Sequence, residues 1–99
     1  MPAAACRIDD PLAVAEAWMG EGRDLAFATL VQAGATSPLR VGRRLVLAAD
    51  GEACGSLGDA GLDGAALAAA VPVIATGAPC VLDFDREDGH VRVYVERLG

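Results

Sequence analysis

Residues 64–82 read GAALAAAVPVIATGAPCVL, a run without one charged side chain. Its length is enough to span a bilayer, and that reading would make this a membrane protein. Pro72, Gly77 and Pro79 divide the run, however, and alanine contributes little apolar transfer energy. The stretch therefore reads as the body of a helix, LDGAALAAAVPVIATG at 62–77, followed by a buried strand. Proline lacks a backbone donor, so Pro72 is expected to kink this helix or to end its first segment near Val71.

Working upstream, residues 55–63, GSLGDAGLD, form a glycine-rich turn that leads from a strand into that helix. Before it, RLVLAADGEACGSL at 44–57 is a hairpin hinged at Asp50-Gly51, where positive backbone angles are tolerated. The loop GATSPLRVGRR at 34–44 precedes the hairpin. DLAFATLVQA at 24–33 is too uniformly apolar for a solvent-facing strand and reads as a central one. The first helix opens at Asp9, Asp10 and Pro11, a capping acid followed by a residue with no donor to lose. Leu12, Ala15 and Met19 share one stripe with Val14 and Trp18 beside it, and Gly20 and Gly22 stop the helix.

Downstream, PCVLDFDREDGHVRVYVERL at 79–98 is a second hairpin around Asp88-Gly89. In its last strand Val91, Val93 and Val95 face one way, and Arg92, Tyr94 and Glu96 the other. Period two with one polar face marks a sheet less buried on that side. The order helix, strand, hairpin, helix, hairpin defines an α+β domain. We expect a single mixed β-sheet of about five strands with two helices packed on it, in one domain over residues 1–99.

Composition narrows the function. With 99 residues and 54% apolar content, the chain buries roughly 65% of its unfolded surface around one core. Scarce aromatics and abundant alanine leave little room for a deep cavity, so a ligand belongs in a surface loop or between chains. The formal charge is −6 and every basic residue is arginine. Nucleic-acid binding needs the opposite balance and is not expected. Cys6, Cys54 and Cys80 make neither a CxxC pair nor a cluster with histidine, so no metal site is expected. Cys54 and Cys80 read as small core residues, and a reduced, cytoplasmic setting fits. The N-terminus MPAAACRIDDP lacks the pattern of a signal peptide.

Four places invite a site. The glycine turn lacks the spacing of a phosphate loop or a dinucleotide fingerprint, but its amides precede a helix and could meet an anion. Asp59 in its middle would repel one, and a plain turn is the alternative. Ser37, Arg40, Arg43 and Arg44 crowd a loop stiffened by Pro38; paired guanidinium groups suit a phosphate or carboxylate, and a solvated loop is the alternative. DFDREDGH at 83–90 has the spaced acids of a calcium loop, but Gly89 is one place late and Tyr94 replaces the closing glutamate, so it reads as a hairpin turn. His90, the sole histidine, has no nucleophile partner, and no catalytic residue can be named.

Taken together, FATLVQAGATSPLRVGRRLVLAADGEACGSLGDAGLD at 27–63 resembles the N-terminal domain of the XdhC/CoxI family, accessory proteins of xanthine dehydrogenase and related molybdenum hydroxylases. Thr29, Leu30 and Val31 match the family's first strand, and Gly34, Ser37, Pro38, Arg40 and Gly42 its Gly-Ser-x-Pro-Arg-x-x-Gly element, with extra residues inside it. Asp50 and Gly51 match the turn, and Gly55, Ser56, Leu57 and Gly58 open the glycine element. Asp59 and Ala60 stand where that element has further glycines, Gly61 where it has a cysteine, and Asp63 where it closes on glutamate. The terminal VRVYVERL is similar to the strand that closes the domain ahead of a dinucleotide-fold domain.

The resemblance implies a non-catalytic role: transient binding of molybdenum cofactor and its delivery to a hydroxylase subunit. It implies cofactor contacts at Ser37, Arg40, Arg43, Arg44, Gly55, Ser56, Gly58 and Asp63. The alternative is an interaction module, docking a hydroxylase subunit or a second copy of itself, that has lost the cofactor. A small enzyme using His90 is a third reading.

Overall fold

The computed structural model describes residues 11–98. In chain order these form α1 (Pro11–Gly20), β1 (Leu25–Gln32), β2 (Arg44–Ala48), β3 (Ala53–Gly55), α2 (Ala60–Thr76), β4 (Cys80–Arg86) and β5 (Gly89–Leu98). The strands make one five-stranded sheet in the order β3-β2-β1-β5-β4. This is an α+β fold, and the charge-free run divides as expected into helix and strand. No helix among the described residues is long and apolar enough to cross a membrane.

The expected mixed sheet is corrected: every neighbouring pair is antiparallel. A helical crossover produces a parallel ladder only when the two strands it joins lie side by side and pair. Here α2 joins β3 to β4, which occupy opposite edges of the sheet.

β1 is the central strand and is buried on both faces, which explains why its sequence does not alternate. Ala26, Ala28 and Leu30 face a core shared with Leu45, Leu47, Val91, Val93, Val95 and the α2 residues Leu62, Ala66, Ala70 and Val73. Leu25 and Phe27 face the other way, onto Val14, Ala15 and Trp18 of α1, with Val46, Ala48 and Cys54. The helices therefore cover opposite faces of the sheet. Each fully buried leucine or valine side chain contributes roughly 1.5–3 kcal/mol to this two-sided core.

The start of α2, and the break allowed for at Pro72, differ from the sequence expectation, while its end agrees. α2 begins at Ala60, with Asp59 as N-cap: its backbone is extended, and its side chain accepts a hydrogen bond from the Leu62 amide at 3.0 Å. α2 also does not end near Val71 but continues through Pro72 to Thr76, where Gly77 closes it in the left-handed conformation (φ 76°). Proline removes the bond to the Ala68 carbonyl, but Ala68 lies on the exposed side of the helix, where a carbonyl without an intrahelical donor is not buried. The Thr76 hydroxyl donates to the Pro72 carbonyl at 2.8 Å and steadies the last turn.

The start of α1 expected at Asp9 and Asp10 falls outside the described residues. Its end is tied down by Arg23, whose guanidinium lies 4.4 Å from the Trp18 ring centroid and bridges Asp50 and Glu52 of the β2–β3 turn. That turn forms at Asp50-Gly51 as read from the sequence. The second hairpin turns at Glu87-Asp88, with Gly89 already paired to Arg86.

Candidate functional site

At the end of the sheet where β2 begins and β3 finishes, a cleft of about 530 Å³ opens beside the start of α1. Gly42, Arg43, Arg44, Gly55 and Ser56 line it together with Pro11 and Leu12. The volume is in the range of small-molecule sites. The sheet register explains why loop and glycine turn meet here: Leu45 pairs with Gly55, so Arg44 and Ser56 flank the last rung of the β2–β3 ladder.

Gly55 sits at the floor in a conformation that only glycine adopts freely, with φ 97°. A Cβ there would lie 2.7 Å from the Arg44 carbonyl oxygen and 2.9 Å from Pro11 Cγ, so the approach of α1 to the strand ends requires a residue without a side chain. Arg43 donates from Nε to the Ser56 carbonyl at 3.1 Å, which fixes its stem and leaves its terminal amino groups for the cleft. Arg44 lies over Phe27, 5.6 Å from the ring centroid.

Charge pairing sets these arginines apart. Among the described residues Arg23, Arg86 and Arg92 form ion pairs with carboxylates, while Arg97 at the far end of β5 and the loop arginines Arg40, Arg43 and Arg44 form none. In a chain with 14 acidic residues, unpaired cations next to one another make a local positive site in an acidic molecule.

The acids of the glycine turn point elsewhere. Asp59, besides capping α2, accepts from Arg86 at 2.9 Å; that bond and the Leu62 amide hold its carboxyl below the usual range. Asp63 accepts from the Ser56 hydroxyl at 2.8 Å and from the Leu57 amide at 2.8 Å, so both its oxygens brace the turn from behind. The expected repulsion of an anion by Asp59 is thereby removed, and Asp63 stands as a support of Ser56 outside the cleft lining.

The remaining expected site residues lie off the cleft. Ser37 caps its own loop, accepting from the Leu39 amide at 3.1 Å. Arg40 is exposed and does not line the cleft. Gly58 packs near Leu39, where a Cβ would come within 3.3 Å of that side chain. Pro11 and Leu12 were not foreseen, since no local pattern signals that a helix start will fold over a loop thirty positions away.

His90 lies on the outer face of the β4–β5 hairpin, with Nδ1 2.7 Å from Asp85 and Nε2 2.8 Å from Asp83. Asp85 first and Asp83 second push its pKa above the usual histidine value and favour the charged ring. Asp83 is in turn held low by Arg92 and by His90. Both imidazole nitrogens are thus engaged in an exposed charge ladder. No group of three or more histidine, cysteine or acidic residues suited to a metal ion occurs among the described residues.

Fold and cleft together define a small α+β domain, helix-covered on both faces, with a cationic cleft at one end of its sheet. The chain belongs to the XdhC and CoxI family, whose model matches residues 18–85. It is also similar to a solved structure described as a xanthine dehydrogenase from Bacillus halodurans, with a TM-score of 0.76 at 17% identity. That likeness covers 91% of this chain and 31% of the other, so the shared fold is one part of a longer protein there. No curated protein matches the sequence.

Proposed function

We propose that this chain is an accessory protein in the maturation of a molybdenum hydroxylase of the xanthine dehydrogenase or CO dehydrogenase type. In this reading it binds molybdenum cofactor in the cytoplasm and helps deliver it to a hydroxylase subunit, without turnover of its own. Family membership supports the accessory role. One observation supports the ligand: two unpaired arginines and the side-chain-free floor of Gly55 share one cleft from which the neighbouring carboxylates are turned away.

The residues fit the anionic end of such a cofactor. Arg43 and Arg44 would hold its phosphate, with charge-assisted bonds of the kind guanidinium groups make to planar or tetrahedral anions. The Ser56 hydroxyl is committed to Asp63, so the backbone of Gly55 and Ser56 would supply the remaining contacts. The apolar edge of Pro11 and Leu12 would take the ring system. Nothing in the lining offers a thiolate to the metal: Cys54 packs in the core between α1 and the sheet. This chain would therefore grip the cofactor by its phosphate and leave the metal end to the acceptor.

The test is titration of the full chain with purified molybdenum cofactor, followed by pterin fluorescence. Saturable binding is expected. Replacing both Arg43 and Arg44 by alanine should weaken it roughly 100-fold, about 3 kcal/mol for two lost charged hydrogen bonds. Failure to bind, together with capture of a hydroxylase subunit, would favour an interaction module that has lost the cofactor.

A further inference from the structure

Two acids, Asp59 and Asp63, stand one turn apart at the start of α2, beside a cleft whose arginines form no ion pair. Asp59 is turned out to Arg86. Asp63 forms no ion pair among the described residues, yet both its oxygens are taken. Oδ1 accepts from the Leu57 amide and Oδ2 from the Ser56 hydroxyl, each at 2.8 Å. Two donors need two acceptors, which a carboxylate supplies and an asparagine does not.

The bonds run on from Ser56 to the cleft. Its hydroxyl, with the proton given to Asp63, accepts from the Gly58 amide at 3.0 Å, so the turn closes on itself. Leu57 between them is fully buried and pins the turn to the core. The carbonyl of the same Ser56 accepts from Arg43 Nε at 3.1 Å. Arg43 is held at its backbone as well: its carbonyl accepts from the Leu30 amide at 2.9 Å, and its amide donates to the Arg40 carbonyl at 3.3 Å. A guanidinium gripped at Nε keeps both terminal amino groups for a ligand and gives up its rotation.

We propose that Asp63 is a positioning residue of the cleft, acting through Ser56 to aim the terminal amino groups of Arg43 at an anion. The proposal rests on the reading of the cleft as an anion site and deepens it. Asp63 lies outside the cleft lining and touches no ligand. Its contribution is preorganisation: a free arginine loses rotamer freedom when it binds, and a side chain already fixed has less to lose. Arg44 has no such tether and lies over Phe27 instead, so Asp63 serves Arg43 alone.

The test titrates the full chain and its variants with purified molybdenum cofactor and follows pterin fluorescence. Asp63→Asn, which keeps an acceptor for the Leu57 amide, should lower the affinity roughly tenfold. Removing a negative charge beside the cleft would by itself tighten the binding of an anion, so the sign separates positioning from simple charge. In an Arg43→Ala background the same substitution should weaken binding no further, because Asp63 then has nothing to aim. Ser56→Thr keeps the hydroxyl and should bind as the natural chain does. Circular dichroism melts check that each variant folds. Heteronuclear NMR of the ligand-free chain reads the tether directly. The Arg43 Nε–H signal should exchange slowly with solvent in the natural chain, and as fast as that of exposed Arg40 in Asp63→Asn. Equal losses of affinity in the two backgrounds, tighter binding by Asp63→Asn, or an unchanged Arg43 signal would each overturn the proposal. If the natural chain binds no cofactor, the reading of the cleft fails, and the Arg43 signal alone decides whether Asp63 positions that side chain.

Discussion

Gly34 opens the loop that carries the arginines, and it is pressed against the tip of the β4–β5 hairpin. A Cβ at this position would lie 1.7 Å from the Asp88 carbonyl oxygen, 2.6 Å from the Asp88 carbonyl carbon and 2.8 Å from Gly89 Cα. All three atoms are backbone, so no side chain can rotate away. Carbon atoms pack best at about 3.5–4.0 Å, and the two segments would have to part by well over an ångström. Such overpacking costs about 1–3 kcal/mol, and the upper end applies where backbone must move. The lower chain entropy of an unfolded alanine variant offsets about 0.4–1 kcal/mol of this. Gly34→Ala should therefore lose about 2 kcal/mol net, a fall in Tm of roughly 8–16 °C for a domain of this size. Gly64→Ala is the control: nothing lies within 4 Å of its Cβ position, which is inside α2. That variant should gain about 0.5–1 kcal/mol. Urea titrations followed by circular dichroism give both values. A Gly34→Ala protein as stable as the natural one would refute the claimed contact between loop and hairpin.

Pro72→Ala restores a donor for the Ala68 carbonyl inside a continuous helix, and should stabilise the domain by about 1–3 kcal/mol, read by the same titrations. His90 has a raised pKa in the folded state, so its contribution is complete below the unfolded value of 6.5 and is lost as pH rises through the folded one. The stability of the natural chain should accordingly decline over that window, and His90→Gln should flatten the decline. Below about pH 4 stability should fall again, because the depressed carboxyls of Asp59 and Asp83 become protonated.

Where local pattern governs structure, the sequence was a sound guide. The unbroken apolar run of β1 placed it at the centre, the alternation of β5 identified its buried valines, and Asp50-Gly51 marked a turn. Of the two outcomes read from Pro72, a helix end near Val71 did not occur, because the penalty depends on which side of the helix the freed carbonyl faces, a property of the packed helix. Asp59 misled because a capping acid and a ligand-repelling acid look alike until the direction of the side chain is known. The meeting of Arg43 and Arg44 with Gly55 and Ser56 was within reach, since both flank one short hairpin ladder. The contribution of Pro11 and Leu12 was not, and neither was the placement of the helices on opposite faces, which depends on how α1 docks.

Trp18 is the only tryptophan and Arg23 lies over its ring. Its emission therefore watches a single seam of the molecule, the one between α1 and the sheet, while the long helix on the other face dominates the far-ultraviolet signal. Heating the protein under both detectors asks whether the first helix peels away before the rest melts. A red shift preceding the loss of ellipticity would show the two layers giving way separately, and superimposable curves would show them failing as one.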